Sequence, residues 1–505
     1  MRTKTFLALA LLVAWGLLAS HIADNRRFLP DEAFFMTFAR SAAVGGDWWL
    51  QGALDKPPLA IYANAVGISL LAAETLPDGV LTLDSYRGEF VGRLLSAFSG
   101  LVMIAVSMRL ALAITGRSAA ALAAGLALAA VPMARLYSAS AFMDMPMLAL
   151  GMAALLAAAR ARPAACGVLM GLAIAAKPQA VSLLPLAAWF LLARPGWRRL
   201  ALRAGAGLAL ALALLLLWDA ARPGDSVFAL GAANNRFLAP TLDANTIAAR
   251  FAGWLPAGAG MGLLVALSAI VAVAGLYERR TRALVVWVCA YVLGHIVLAG
   301  TLYERYLLPV IPLMVITAAA LLAGSAARLA AQRRQSGRSA VHWALITASA
   351  LWLALALLAT PPEALEDYND DPARIDLLAR ELNALPTATV IYDHWFGWLL
   401  RYYMGQWQDK RITYFPSPQA LADAARALPE TQPRYFILPL GDPAIYGLSS
   451  PWSRQPEAFA QALEDAGFSL TRRQTHGFEM IEIVPAEPRP TRASCGPASA
   501  RPAPS

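Results

Sequence analysis

The hydrophobic pattern of this chain is one of long uncharged runs, not of amphipathic stripes. Stretches without Lys, Arg, Asp or Glu fall at 5–23, 94–108, 118–134, 145–159, 163–176, 178–193, 204–218, 251–277, 283–303, 306–327 and 339–362. A further run lies at 57–73. A helix that crosses a bilayer needs about 20 mostly apolar residues, and charged ends of shorter runs can snorkel to the interface. Basic residues in short loops fix the orientation. With 57–73 left out of the membrane and the N-terminus inside, the cytoplasmic turns hold seventeen Lys and Arg against one acid, Glu278. Counting 57–73 as a span would invert every later loop. The pattern therefore predicts about eleven transmembrane helices, with 57–73 lying at or dipping into the outer surface. Arg2 and Lys4 before an apolar core also fit a signal peptide. An uncleaved first span is preferred, because the rest of the chain is itself polytopic.

Three parts then face outside: a loop over 22–89, a second over about 219–250, and everything after about 360. The last part reads as a small α/β domain over 360–485. Ala388–Tyr392, Arg411–Phe415, Tyr435–Leu440 and Glu479–Val484 are strand-like, with helical stretches at Ala373–Leu385, Gln419–Leu428 and Glu457–Ala466 between them. Residues 486–505 are rich in Pro, Ala and Ser and are expected to be disordered. The fold class expected is thus mainly α and polytopic over 1–359, with a C-terminal α/β domain outside the membrane.

Composition agrees with this division. The 505 residues are 58% hydrophobic and 15% charged, with a mean hydropathy of +0.52, which excludes an ordinary soluble enzyme and a disordered chain. The net charge of +9 is mostly the inside bias of the loops, so a nucleic-acid partner is not expected. Cysteines 166, 289 and 495 make neither a disulfide framework nor a zinc spacing.

The first outer loop is dense in polar chemistry: Pro30-Asp31-Glu32, Gly46-Asp47-Trp48-Trp49 and Asp55-Lys56-Pro57-Pro58. Taken alone, Asp31-Glu32 fits a helix start with acids in its first turn, and Asp55-Lys56 a local ion pair. Further charges open or close spans at the same side: Glu89 and Arg93, Asp144 before Met145-Pro146, Lys177-Pro178, and Arg305 within Tyr303-Glu304-Arg305-Tyr306-Leu307-Leu308-Pro309. Asp31, Asp55, Lys56, Arg93, Asp144, Lys177 and Arg305 would ring one cavity mouth. Scattered snorkelling anchors would occupy both faces, so a one-sided ring of mixed charge suits a charged lipid head group.

In their order and common sidedness these motifs resemble the GT-C glycosyltransferases, in particular the bacterial protein mannosyltransferase-like and aminoarabinose transferase-like branch. The resemblance covers roughly residues 1–325. It implies a transferase that takes a hexosyl or pentosyl unit from a polyprenyl-phosphate donor on the outer face of a bacterial inner membrane. The acceptor hydroxyl or phosphate belongs to a lipid, a glycan or a protein. The resemblance implies that Asp31 is the catalytic base, accompanied by Glu32, and that Lys56 lies near the donor phosphate. It gives Arg93, Lys177 and Arg305 a place around the donor, and Asp55, Asp144, Arg236 and Tyr306 a place elsewhere in the cavity. Some relatives bind a divalent metal near this loop; no cofactor is assigned here, and His21, His295, His342, His394 and His476 form no cluster in sequence. A carboxylate at the membrane edge can have a raised pKa. A base opposite the leaving group implies inversion. Trp48, Trp49 and Tyr62 stack on sugar or sit in an aromatic belt, the belt being favoured.

Two other classes compete. A transporter or flippase also needs polar groups at membrane depth, but charge gathered at one face disfavours it. A binding module would do its work through Tyr392-Asp393-His394-Trp395, Trp398, Tyr402, Tyr403 and Trp407 of the C-terminal domain, residues that serve equally as core.

Overall fold

The computed structural model describes residues 2–20, 22–24, 26–234, 240–253, 261–298, 304–332, 339–357, 374–405, 409–440 and 451–485. The chain divides into two compact units, Met1–Pro372 and Ala373–Ser505. The expected boundary near 360, Arg236, Trp407 and the tail 486–505 lie outside the described residues.

The first unit is helical. Its elements are α1 (Arg2–Ala19), α2 (Pro30–Ala43), α3 (Leu59–Leu71), a short hairpin β1 (Ala73–Thr75) and β2 (Leu81–Leu83), α4 (Ser85–Thr115), α5 (Ser118–Ala130), α6 (Pro132–Ser138), α7 (Asp144–Ala159) and α8 (Pro163–Ala176). A 3-10 turn at Pro178–Leu183 leads into α9 (Leu184–Leu192). There follow α10 (Trp197–Ala221), α11 (Val227–Asn234), α12 (Ala244–Gly253), α13 (Met261–Tyr277), α14 (Arg282–Leu298), α15 (Val310–Gln332) and α16 (Ser339–Ala356). Among the described residues three helices, Ser85–Thr115, Trp197–Ala221 and Val310–Ala331, are long and apolar enough to cross a membrane. The pair α5–α6, bent by 63° at Val131-Pro132, is a fourth if its two halves make one span. Proline explains the bend, since it removes a backbone donor and turns the residue before it away from helix. Apolar helices of 10–17 residues occupy the remaining uncharged runs, α3 included. This is a polytopic, mainly helical architecture.

Close helix contact is sequence-encoded where α8 meets α10. A Cβ on Gly167 would overlap the Ala204 carbonyl, so the small residue lets two backbones touch, the usual route to tight packing between apolar helices. The turns expected at the basic side come together at one end of the unit. Arg280 Nη1 donates to the Thr115 carbonyl at 2.6 Å, Arg328 pairs with Glu278 at 2.6 Å, and Arg194 donates to the Ala159 carbonyl.

The second unit holds a five-stranded sheet in the order β4-β3-β5-β7-β6, with β3 at Val390–Asp393, β4 at Arg411–Tyr414, β5 at Arg434–Pro439, β6 at Phe468–Thr475 and β7 at Phe478–Pro485. β3 pairs in parallel with β4 and β5, while β7 runs antiparallel to both β5 and β6. Helices Ile375–Asn383, Gly397–Tyr403, Pro418–Ala427 and Pro456–Asp465 connect them. The sequence pattern missed β6, whose alternation is hidden by Thr471-Arg472-Arg473-Gln474 on a largely exposed edge. Tyr392, Asp393, His394, Trp395 and Tyr402 are all buried. Asp393 caps the helix after β3, accepting from the amides of Trp395, Phe396 and Gly397 at 2.9, 2.8 and 2.5 Å. His394 Nδ1 sits 2.6 Å from the Phe415 carbonyl. That motif is core, not a binding face.

Candidate active site

The site is assembled at one end of the helical unit by α2, the loop before α3, the starts of α7 and α15, and the junction after α8. Pro30 starts α2, which puts Asp31 in the first turn, where the helix dipole favours negative charge. Asp31 Oδ2 accepts from Arg305 Nη1 at 2.9 Å, and the Arg305 guanidinium lies over the Phe142 ring at 5.1 Å. Solvent reaches 54% of the Asp31 side chain but only 18% of Arg305. Solvent therefore reaches the carboxylate while its cationic partner is mostly shielded. Burial pushes its pKa up, but Arg305, with Lys56 and Lys177 further off, outweighs that and holds the carboxyl below its ordinary range. This reverses the direction expected from the sequence. The reason is the guanidinium brought by a segment 274 residues away.

Two further acid–cation pairs complete the site. Lys56 Nζ bonds Asp55 Oδ2 at 2.9 Å, with both side chains mostly shielded. Asp55 Oδ2 also lies 3.4 Å from Asn234 Nδ2 of α11. That approach needs Gly231, whose Cβ would stand 2.9 Å from the Asp55 carbonyl. Lys177 Nζ bonds Asp144 Oδ1 at 2.5 Å, and Asp144 is 2% exposed. The Lys177 ammonium also lies 5.7 Å from the Tyr306 ring centroid. Asp55, Lys56, Lys177 and Tyr306 line a cavity of about 570 Å3 whose wall is otherwise mostly apolar.

Glu32 and Arg93 are placed differently from the sequence expectation. Glu32 is buried, and both carboxylate oxygens are occupied by backbone: Oε2 accepts from Leu29 N at 2.8 Å and Oε1 from Ala141 N at 2.6 Å. It closes the N-terminus of α2 as half of a capping box and ties it to the segment before α7. Arg93 is 1% exposed. It donates to the carbonyls of Asp24, Arg26 and Arg27 at 3.2, 2.8 and 3.4 Å, so its guanidinium is consumed by the outer loop and does not line the cavity. Arg27 in turn pairs with buried Glu89 at 3.3 Å.

The sequence reading overlooked one wall. Tyr291 and His295 of α14 line the cavity, and Trp287 stands one turn before them in the same row, with neighbouring ring centroids 4.7 and 4.2 Å apart. Tyr291 Oη accepts from Gln179 Nε2 at 2.6 Å and donates to the Tyr306 carbonyl at 2.8 Å, fixing the segment that carries Arg305. The i, i+4 spacing of polar-tipped aromatics within an apolar run was the available signal. Arg222 was missed as well. It is buried and donates to the carbonyls of Leu50, Gly52 and Asp225, holding the loop that precedes Asp55. Tyr62 joins the same corner by donating to the Trp48 carbonyl at 2.5 Å and accepting from Trp218 Nε1 at 2.7 Å.

Among the described residues no group of three or more His, Cys, Asp or Glu side chains could hold a metal ion. Asp31, Asp55 and Asp144 are each matched to a cation, and Glu32 to two backbone amides.

No protein-family model and no curated protein sequence matches the chain. Solved structures do. The chain is similar to ArnT from Cupriavidus metallidurans bound to undecaprenyl phosphate, at 18% identity and a TM-score of 0.58, over 96% of this chain and 99% of that one. It is also similar to the Archaeoglobus fulgidus oligosaccharyltransferase in the apo form, at 11% identity and a TM-score of 0.51, over 93% and 73% of the two chains. Both are GT-C glycosyltransferases, and this chain shares their fold.

Proposed function

We propose that the protein is an inverting glycosyltransferase of a bacterial inner membrane, with about eleven spans, a cytoplasmic N-terminus and the C-terminal unit outside. Its donor is a polyprenyl-phosphate-linked sugar, and its acceptor a hydroxyl or phosphate of a lipid, glycan or protein. The observation that carries this reading is the pairing of Asp31 with Arg305 beside a largely apolar cavity that also presents Lys56 and Lys177. An apolar wall suits a prenyl chain, and ammonium groups at its edge suit a phosphate. ArnT, whose fold this chain shares, was solved with undecaprenyl phosphate.

The reaction forms one bond from the acceptor oxygen to the anomeric carbon and breaks the bond from that carbon to the lipid phosphate oxygen. The transition state is oxocarbenium-like. With a hydroxyl acceptor, the O–H becomes acidic as the new bond forms and its proton passes to Asp31; an ionised phosphate oxygen attacks with no proton to lose. A carboxylate held ionised is in the accepting form. The electron pair leaves with the lipid phosphate, whose growing charge Lys56 meets. Lys177, locked to buried Asp144, supplies a fixed dipole more than a mobile cation. Arg305 positions Asp31, Glu32 positions the helix that bears it, and Arg93 the loop that precedes it.

The test is glycosyl transfer by full-length protein in lipid vesicles, with a panel of polyprenyl-phosphate sugars and cell-envelope extract as acceptor. Polyprenyl phosphate released by the wild type and not by Asp31→Asn supports the assignment. Wild type that releases none with any donor turns the reading toward transport.

A further inference from the structure

Away from the catalytic end, α8, α9 and α10 form a second concavity. α8 has 14 residues, so its start lies about 20 Å from Lys177 at a rise of 1.5 Å per residue. A groove of about 180 Å3 lies between the first half of α8, the length of α9 and the second and third turns of α10, lined by apolar groups that include Cys166, Met170, Leu191, Ala204 and Leu208. Leu192 and Gly205 on its rim are exposed, and a Cβ on Gly205 would meet nothing within 4 Å.

Cations crowd this same end. Arg160 and Arg162 precede α8, Arg194 follows α9, and Arg198 and Arg199 open α10. Arg194 reaches across to the Ala159 carbonyl, which draws the end of α9 to the turn before α8. Arg198 lies 5.5 Å from the Trp197 ring centroid, and Trp197 and Trp189 are both exposed, as at a bilayer interface. Arg109 stands close enough to Arg160 to repel it. No acid occurs between Met145 and Trp218, and among the described residues none of these arginines forms an ion pair. An apolar slot on a helix trio whose adjoining turn exposes unpaired Arg194, Arg198 and Arg199 has the chemistry of one ligand class, an acyl chain ending in an anionic head group.

We propose that the groove binds an anionic phospholipid of the surrounding bilayer, one acyl chain between α8, α9 and α10 and its phosphate at Arg194 and Arg198. The site is separate from the donor cavity and neutralises the cationic end of the helix trio.

The experiment is native mass spectrometry of the full-length, delipidated protein in neutral detergent, titrated with phosphatidylglycerol or with phosphatidylcholine of the same chains. Each arginine at a membrane surface is worth about fivefold in affinity. Two contacting arginines therefore give phosphatidylglycerol roughly a 25-fold advantage. R194Q/R198Q removes that advantage without changing phosphatidylcholine binding. Gly205→Leu, which fills the groove from an open position, weakens both lipids. Excess inorganic phosphate leaves the bound lipid in place. Equal affinity for the two lipids, a preference that survives R194Q/R198Q, unchanged binding in Gly205→Leu, or displacement by phosphate alone would each overturn the proposal.

Discussion

Replacing Asp31 by Asn is the sharpest test of the site, because the structure separates its effect on chemistry from its effect on folding. The side chain is 54% exposed and its charged partner, Arg305, is 2.9 Å away. At that exposure solvent screens the pair, and its contribution to stability is on the order of 1 kcal/mol or less. Asn keeps the shape and one acceptor oxygen, so Arg305 retains a neutral partner. Loss of a positioned general base lowers turnover by about 10²–10⁴-fold, which is about 2.7–5.5 kcal/mol of barrier at 1.36 kcal/mol per tenfold. The two numbers differ enough to be resolved in one preparation. Reconstituted Asp31→Asn is therefore expected to unfold within a few degrees of the wild type, to bind donor normally, and to release polyprenyl phosphate at least about 100-fold more slowly. Release within threefold of wild type by a folded variant refutes the assignment of the base. A loss of release matched by a large drop in Tm would make Asp31 a structural residue instead.

The remaining predictions concern the groups around it. Arg305→Gln removes the charge that outweighs burial at Asp31. The acid limb of the pH profile of kcat/KM, which in the wild type lies below the ordinary carboxylate range, is then expected to move to higher pH; an unmoved limb would show that another group titrates. Asp144→Ala leaves Lys177 shielded and unpaired and costs about 3–5 kcal/mol, read as thermal unfolding, and Asp144→Ala/Lys177→Ala recovers part of that loss. Glu32→Ala strips acceptors from the Leu29 and Ala141 amides and costs about 2–4 kcal/mol, with Glu32→Gln milder in both stability and rate. Arg93→Ala frees the carbonyls of Asp24, Arg26 and Arg27, so limited proteolysis of the first outer loop should accelerate while the KM for donor stays put.

Much of the helical unit was legible because a bilayer forces its signal. Among the described residues each uncharged run holds apolar helix, 57–73 included, which folds as the 13-residue α3. What periodicity could not supply was partnership. Asp31 and Arg305 are 274 residues apart, and only the packed bundle shows that they touch, which is why the pKa of Asp31 falls when proximity to the membrane alone suggested a rise. The family resemblance put Glu32 and Arg93 in the site. Their side chains are bonded to backbone: Arg93 to the carbonyls of Asp24, Arg26 and Arg27, and Glu32 to the Leu29 amide and to the Ala141 amide before α7, because irregular segments must satisfy their carbonyls and amides somehow. Arg222 does the same for Leu50 and Gly52, both at positive φ, and nothing local announced it.

The three acid–cation pairs differ in a way that assigns them different work. From Asp31–Arg305 through Asp55–Lys56 to Asp144–Lys177 the acid becomes steadily less exposed: 54%, 12% and 2%. A phosphate entering the cavity must take a cation from one of them. Taking Lys177 would strand Asp144 in a dry site, the most expensive rearrangement available. Taking Arg305 would undo the force that keeps Asp31 ionised. Lys56 can turn at smaller cost, because Asp55 is less buried than Asp144 and already lies 3.4 Å from the Asn234 amide, which keeps a hydrogen bond to its oxygen. Adjacent residues in sequence can form and break such a pair by side-chain rotation alone, without moving a helix. Among the three pairs, Lys56 is thus the cation whose turn toward the leaving phosphate costs least, with the Asn234 amide left to hold the Asp55 carboxylate.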